Sequence, residues 1–199
     1  MKKAFIYLIL ISISFHACSI FKQITNISRL KFRLKSVSDL TINGINISNK
    51  SSLKDFNVFD SAQLLNSIAK GSLPVKFNLN IEAMNPNDGG GYPRQDLDIV
   101  DFKWRLIIDD VETLSGNIAS PISVPGTGET TIFPITIELD LYKLFKERGF
   151  ENIINLALAI GGKNSNLSRI VLKAQPTIQS PFGKIKYPGE IEIIDKEFR

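Results

Sequence analysis

Hydrophobic residues recur at every second position through much of the chain. Val75, Phe77, Leu79, Ile81 and Ala83 alternate with Lys76, Asn78, Asn80 and Glu82, the pattern of a strand with one face buried and the other wet. Leu30, Phe32 and Leu34 alternate in the same way with Lys31, Arg33 and Lys35. Phe102, Trp104, Leu106 and Ile108 form another inward set, as do Phe133, Ile135, Ile137 and Leu139. Leu40 and Ile42 share one parity and Ile45 and Ile47 the other, so a bulge or tight turn is expected at Asn43-Gly44. Asp109-Asp110 marks a turn into a partner strand over residues 111–118. Further on, Ile170, Leu172 and Ala174, then Ile185, Tyr187, Ile191 and Ile193, predict a closing hairpin with Pro176, Pro181 and Gly183 around its turn.

Two segments carry helical spacing instead. Asp60-Ser61 can cap a helix running to Lys70, with Leu64, Leu65 and Ile68 on one face and Gly71 as the stop. Asp140 can cap a second, through Leu141, Leu144 and Phe145 to a break at Gly149, which resumes over residues 151–160 before Gly161-Gly162. Short strands at regular intervals, few helices and no internal repeat or interdomain linker predict a mainly β protein. The expected form is a single antiparallel β-sandwich with one or two helices in its connections.

Ahead of the first strand lies a segment of a different kind. Lys2 and Lys3 precede the apolar residues 4–15, and Ala17 places a small residue before Cys18, the only cysteine. A charged start, a short apolar run and a small residue are the layout of a secretory signal, and the run falls short of the roughly 20 residues of a membrane span. Phe15-His16-Ala17-Cys18 further resembles the lipobox of bacterial lipoproteins, which implies removal of residues 1–17 and diacylglycerol and acyl chains on Cys18. An ordinary leader with an incidental cysteine and an uncleaved anchor are the alternatives. Lipidation would leave residues 18–28 as a tether and 29–199 as the folded domain, held at a membrane by more than one chain. Ser19 after the cysteine implies, by the same resemblance, sorting to the outer membrane, facing the periplasm.

Composition then removes several kinds of chemistry. Of the 24 Lys and Arg, cleavage takes Lys2 and Lys3, and it also takes His16, the single histidine; 22 basic and 20 acidic side chains remain. A chain with no His and no free Cys has no Ser-His-Asp or Cys-His pair, no imidazole general acid and no ordinary zinc site. A net charge of +2 with interspersed signs is not the footprint of a nucleic-acid binder.

At the end of its cleanest strand the chain reads Asn85-Pro86-Asn87. Trp104-Arg105-Leu106, the Asp-Asp turn, Gly116, Ser123-Val124-Pro125-Gly126 and an alternating strand from Thr130 follow in order. This ordered set, over residues 73–139, resembles the late embryogenesis abundant type 2 domain, also called the water stress and hypersensitive response (WHy) domain. The resemblance implies a fibronectin-III-like or immunoglobulin-like sandwich, no enzymatic activity and no cofactor, and a structural or desiccation-protective role. Some relatives are thought to handle lipid. The chain departs from the pattern at residues 87–96, where Asp88-Gly89-Gly90-Gly91-Tyr92-Pro93 enlarges a loop. From the residues themselves, Pro86 removes a ladder donor and Asn side chains satisfy stray backbone groups, so Asn85-Pro86-Asn87 is expected to end a strand and start a turn.

Other patterns read as structure rather than chemistry. Asp96, Asp98 and Asp101, near Asn87 and Asp88, lack the spacing of a calcium loop. Gly126-Thr127-Gly128 and Gly161-Gly162-Lys163-Asn164 lack the rest of a phosphate loop, and Ser67-Ile68-Ala69-Lys70 lacks the companion motifs of Ser-Lys catalysis. Catalytic and metal-ligating residues are therefore expected to be absent. Residues 153–160 are greasier than one helical face requires, so Leu156, Leu158 and Ile160 are candidates for lining a groove for a lipid or other apolar ligand as well as for the core. No protein partner is indicated.

Overall fold

A computed structural model describes residues 25, 28–161, 170–180 and 183–193. Cys18, residues 19–24, 26 and 27 of the expected 18–28 tether, the 162–164 turn and Pro181 therefore lie outside the described residues. Two antiparallel sheets face each other. The first runs in the order β2 (Ile45–Asn46), β1 (Lys31–Ile42), β3 (Pro74–Met84), β7 (Thr130–Asp140). The second runs in the order β10 (Ile191–Ile193), β8 (Ile170–Ser180), β4 (Leu97–Ile108), β5 (Val111–Gly116), with β6 (Ile122–Val124) also paired to β4 and β9 (Gly183–Lys186) to β8. The protein is thus mainly β, a sandwich with a few short helices in its connections, as the alternation predicts.

The alternating residues become the core. Val75, Phe77, Leu79 and Ile81 of β3 are buried and meet Leu139, Ile137, Ile135 and Phe133 of β7 across an unbroken antiparallel register. Phe102 of the second sheet sits between Phe32 and Phe133 of the first, with ring centroids 5.4 and 5.2 Å away. The second of these contacts is edge-to-face, the arrangement aromatic quadrupoles favour.

Two strands are longer than simple alternation suggests, because bulges rephase them. In β1 the inward set passes from Phe32 and Leu34 to Val37 and then to Leu40 and Ile42. The register shifts between Leu34 and Ser36 and between Ser38 and Thr41, where Asp39 takes a φ of 55°. Each extra residue swaps the faces, so two of them restore the original parity. In β4 Leu97 and Ile99 point inward on one parity and Phe102 to Ile108 on the other, with a shift between Ile99 and Asp101. The expected turn at Asn43-Gly44 is a two-residue hairpin with both φ angles positive, at 48° and 80°. The turn at Asp109-Asp110 has the same form.

The helices fill the end of the sandwich where β1 finishes. The first, α1 (Val58–Ala69), starts one turn earlier than expected: Asn57 is its cap, accepting from the Asp60 N–H at 2.7 Å. Gly71 ends it with a φ of 76°. Leu64 is fully buried, but Leu65, expected beside it, is 54% exposed. Asp140 caps α2 (Leu141–Phe145) as expected, and its carboxylate also accepts from the Leu73 N–H and the Ser72 hydroxyl, tying α2 to the segment before β3. Leu141 and Phe145 of this helix are buried, while Leu144 is exposed. After Gly149, α3 (Phe150–Ile160) is buried on nearly every side.

Pro176 is not at a turn: β8 runs straight through it to Ser180. Its carbonyl accepts from the Tyr187 N–H, between the stretches where β9 and β10 pair with β8. The missing Pro N–H therefore faces that gap, where no strand needs a donor.

The solvent face of the first sheet carries its own polar lattice. Asn80 donates to the Ser36 and Ser38 hydroxyls, and Asn78 donates to Asp39 and accepts from Thr136. At the top of this ladder Glu82, only 3% exposed, is held by Arg33, Lys35 and Thr130. The hydrogen bond from Arg33 keeps its carboxyl below the ordinary value of 4.5. A depressed carboxylate contributes stability that is present above the unfolded-state pKa and is lost as pH falls through the folded one. The stability of the domain should therefore drop on acidification below about pH 4.5, and Glu82→Gln should flatten that acid limb while lowering stability at neutral pH; urea titrations at several pH values measure both.

Candidate functional site

Part of the ordered motif comes together at the opposite end of the sandwich, where the chain enters β1. β3 stops at Met84, and the next three residues turn inward. Asn85 and Asn87 are both fully buried. The Asn85 amide donates to the Gln95 carbonyl at 2.8 Å and to the Val124 carbonyl at 3.0 Å. Its oxygen accepts from the Asn87 backbone N–H at 3.1 Å and from the Asn87 side chain at 2.9 Å. One side chain thus joins the exit of β3, the approach to β4 and the end of β6. Pro86, between the two, asks for no donor.

Gly126 closes this cluster from the other side. A Cβ there would stand 2.5 Å from the Asn87 carbonyl oxygen and 2.7 Å from that of Gln95, closer than real Cβ contacts come. Its N–H donates to the Asp96 carboxylate at 2.7 Å. A second close approach lies in β5, where the Trp104 ring rests on Gly116 and leaves 2.5 Å to any added Cβ. Of the motif residues, then, Asn85, Asn87, Ser123-Val124 and Gly126 meet at one spot, while Trp104 and Gly116 meet at another.

The entering chain is fastened to the same spot. Arg29 donates to the Asn87 side-chain oxygen at 3.3 Å and lies over the Tyr92 ring, 3.7 Å from its centroid. The Tyr187 hydroxyl donates to the Ser28 carbonyl. The enlarged loop is folded on itself, with Asp88 accepting from the Gly90 N–H and the Gly89 N–H donating to the Tyr92 carbonyl.

The remaining candidates are spread out. Asp96 is spent on Gly126, Asp101 accepts from Asn117 at 3.1 Å, and Asp98 points to solvent. Among the described residues no group of three or more carboxylate, His or Cys side chains is placed to hold a metal. The Ser67 hydroxyl donates to the Ser72 carbonyl at 2.7 Å, closing the end of α1, while Lys70 is the exposed cap residue beyond it. Leu156, Leu158 and Ile160 are buried members of the core. An open depression of about 460 Å³ lies elsewhere, at the far end of the first sheet, lined by Thr41, Gly44, Pro74, Lys76, Glu138 and Asp140. Among the described residues no helix is long and apolar enough to cross a membrane.

No family model matches the chain, and no curated protein matches its sequence. A solved crystal structure of a protein from Archaeoglobus fulgidus aligns over 82% of this chain and 98% of its own, at 12% identity with a TM-score of 0.34. A likeness that low bears on no functional question.

Asn85→Ala should remove the hydrogen bonds that this side chain makes to the Gln95 and Val124 carbonyls and to the Asn87 N–H, at roughly 1–3 kcal/mol each before relaxation, so chemical denaturation should show a loss of about 2–4 kcal/mol. Asn85→Asp should cost more, because a carboxylate would face two carbonyl oxygens. Gly126→Ala should lower the midpoint through a clash with backbone that cannot swing aside.

Proposed function

We propose that this protein is a non-enzymatic, lipid-anchored β-sandwich of the bacterial envelope, tethered through Cys18 and acting as a structural or stress-protective module of the late embryogenesis abundant type 2 kind. The observation that carries the proposal is the position of Cys18, directly after Ala17 and the apolar residues 4–15, and thirteen positions before Lys31, where the first strand begins. An acylated cysteine there holds the whole folded body within a short reach of the bilayer. The fastening of Ser28 and Arg29 to Tyr187 and Asn87 supports the same reading, since it hands the chain from tether to fold without slack. The buried Asn85-Pro86-Asn87 cluster belongs, in this reading, to the scaffold rather than to a ligand site.

The test is the intact mass of the protein extracted from membranes of bacteria that produce it. The expected species begins at Cys18 and carries a diacylglycerol and an acyl chain, and Cys18→Ala should accumulate as an unmodified precursor. A membrane-bound species that keeps residues 1–17 at unmodified mass would remove the anchor from the proposal.

A further inference from the structure

The helix α1 is built inside out. At 3.6 residues per turn, Val58, Phe59, Ala62, Leu65, Asn66 and Ala69 share an arc of about 120°, and every one of them is exposed. Val58 is 88%, Phe59 77% and Leu65 54% exposed. Nothing in this arc is charged. Three polar side chains lie on the inner face instead: Asp60 pairs with Lys50 at 3.2 Å, Gln63 donates to the Asn43 carbonyl at 2.9 Å, and Ser67 donates to the Ser72 carbonyl at 2.7 Å. Leu64 drives an apolar plug into the core from that face, with the half-buried Ile68 packed beside it. A surface helix ordinarily turns its apolar stripe inward. Here the body takes the polar side and presents the apolar side outward, which marks a contact surface.

The charges at its ends say what it contacts. Lys54 before the arc and Lys70 after it are both exposed, and neither makes an ion pair among the described residues. Asp55, next to Lys54, is turned to the backbone N–H groups of Ser51 and Ser52. An uncharged arc with a lysine at each end fits the plane of a phospholipid bilayer, with Phe59, Val58 and Leu65 among the upper acyl chains and the two ammonium groups at the phosphates. It fits a second copy of itself poorly. Antiparallel pairing along the arc brings Lys54 beside the other copy's Lys70, and parallel pairing sets each lysine beside its own equivalent.

We infer that the outer face of α1 lies on a phospholipid surface. The end of β1 next to α1 is about 35–40 Å from its beginning at 3.3 Å per residue. Residues 18–28, fully extended, reach about the same distance, so the body can rest lengthwise on the bilayer in which an acylated Cys18 would sit. The contact is a property of α1 and does not require the acyl chains.

The test uses the full chain with Cys18→Ser and Leu65→Cys, labelled at the new thiol with an environment-sensitive fluorophore and mixed with vesicles of phosphatidylethanolamine and phosphatidylglycerol. The emission should move to the blue on adding vesicles and be quenched by nitroxide-bearing acyl chains. A probe at Thr136→Cys, on the solvent face of the first sheet, should stay in water. Adding Phe59→Asp should reduce the shielded fraction about tenfold, the worth of one large apolar side chain. A probe at position 65 that stays in water with vesicles present overturns the inference. One that is already shielded without vesicles, and crosslinks to a second copy, overturns it in favour of self-pairing. The background lacks Cys18, so either result is independent of whether that residue is acylated.

Discussion

Asn85 carries a task that no backbone group in the sandwich could perform, because it lies where β3 has ended, β4 has not begun and β6 is turning away. Its amide meets the Gln95 and Val124 carbonyls and its oxygen meets Asn87, in a place with no exposure to water. Polar groups so buried stabilise a fold only when all are paired. The crossing from one sheet to the other therefore depends on this residue, on Pro86 adding no unpaired donor, and on Gly126 leaving room for the carbonyls to converge. The long strands on either side can keep their register because the connections between them are fixed here.

The sequence revealed most where one rule acted alone. β3 obeys strict alternation over its whole length and was legible residue by residue, as was its neighbour β7. β1 and β4 were legible only in pieces: a bulge costs one residue of phase, and period-two reading treats the two sides of it as separate strands. Pro176 misled because proline punctuates most strands, and its tolerance in β8 comes from a gap between two short partners that no local pattern announces.

At the candidate sites the limits were of another kind. Asn85-Pro86-Asn87 stood out as a turn signal, but its partners at Gln95 and Val124 lie 10 and 39 positions away. Arg29, which fastens the entering chain to it, gave no signal at all. Leu65 was placed inward beside Leu64 because apolar spacing is normally a guide to the core. The outward arc of α1 follows from where Lys50, Asn43 and Ser72 lie in space, and these are contributed by a loop, a hairpin and a helix end.

The way the chain enters has a mechanical consequence. Ser28 and Arg29 are fixed at one end of the sandwich, and β1 then runs the full length of the first sheet against β3. Tension on residues ahead of Ser28, with the far end of the body held, acts along the axis of β1. Antiparallel hydrogen bonds lie across that axis, so the rungs between β1 and β3 bear the load together, in shear, instead of opening one after another like a zipper. The two bulges in β1 and the Arg33–Glu82 pair act as teeth against sliding. Pulled from ahead of its first strand in this way, the sandwich would resist being dragged open.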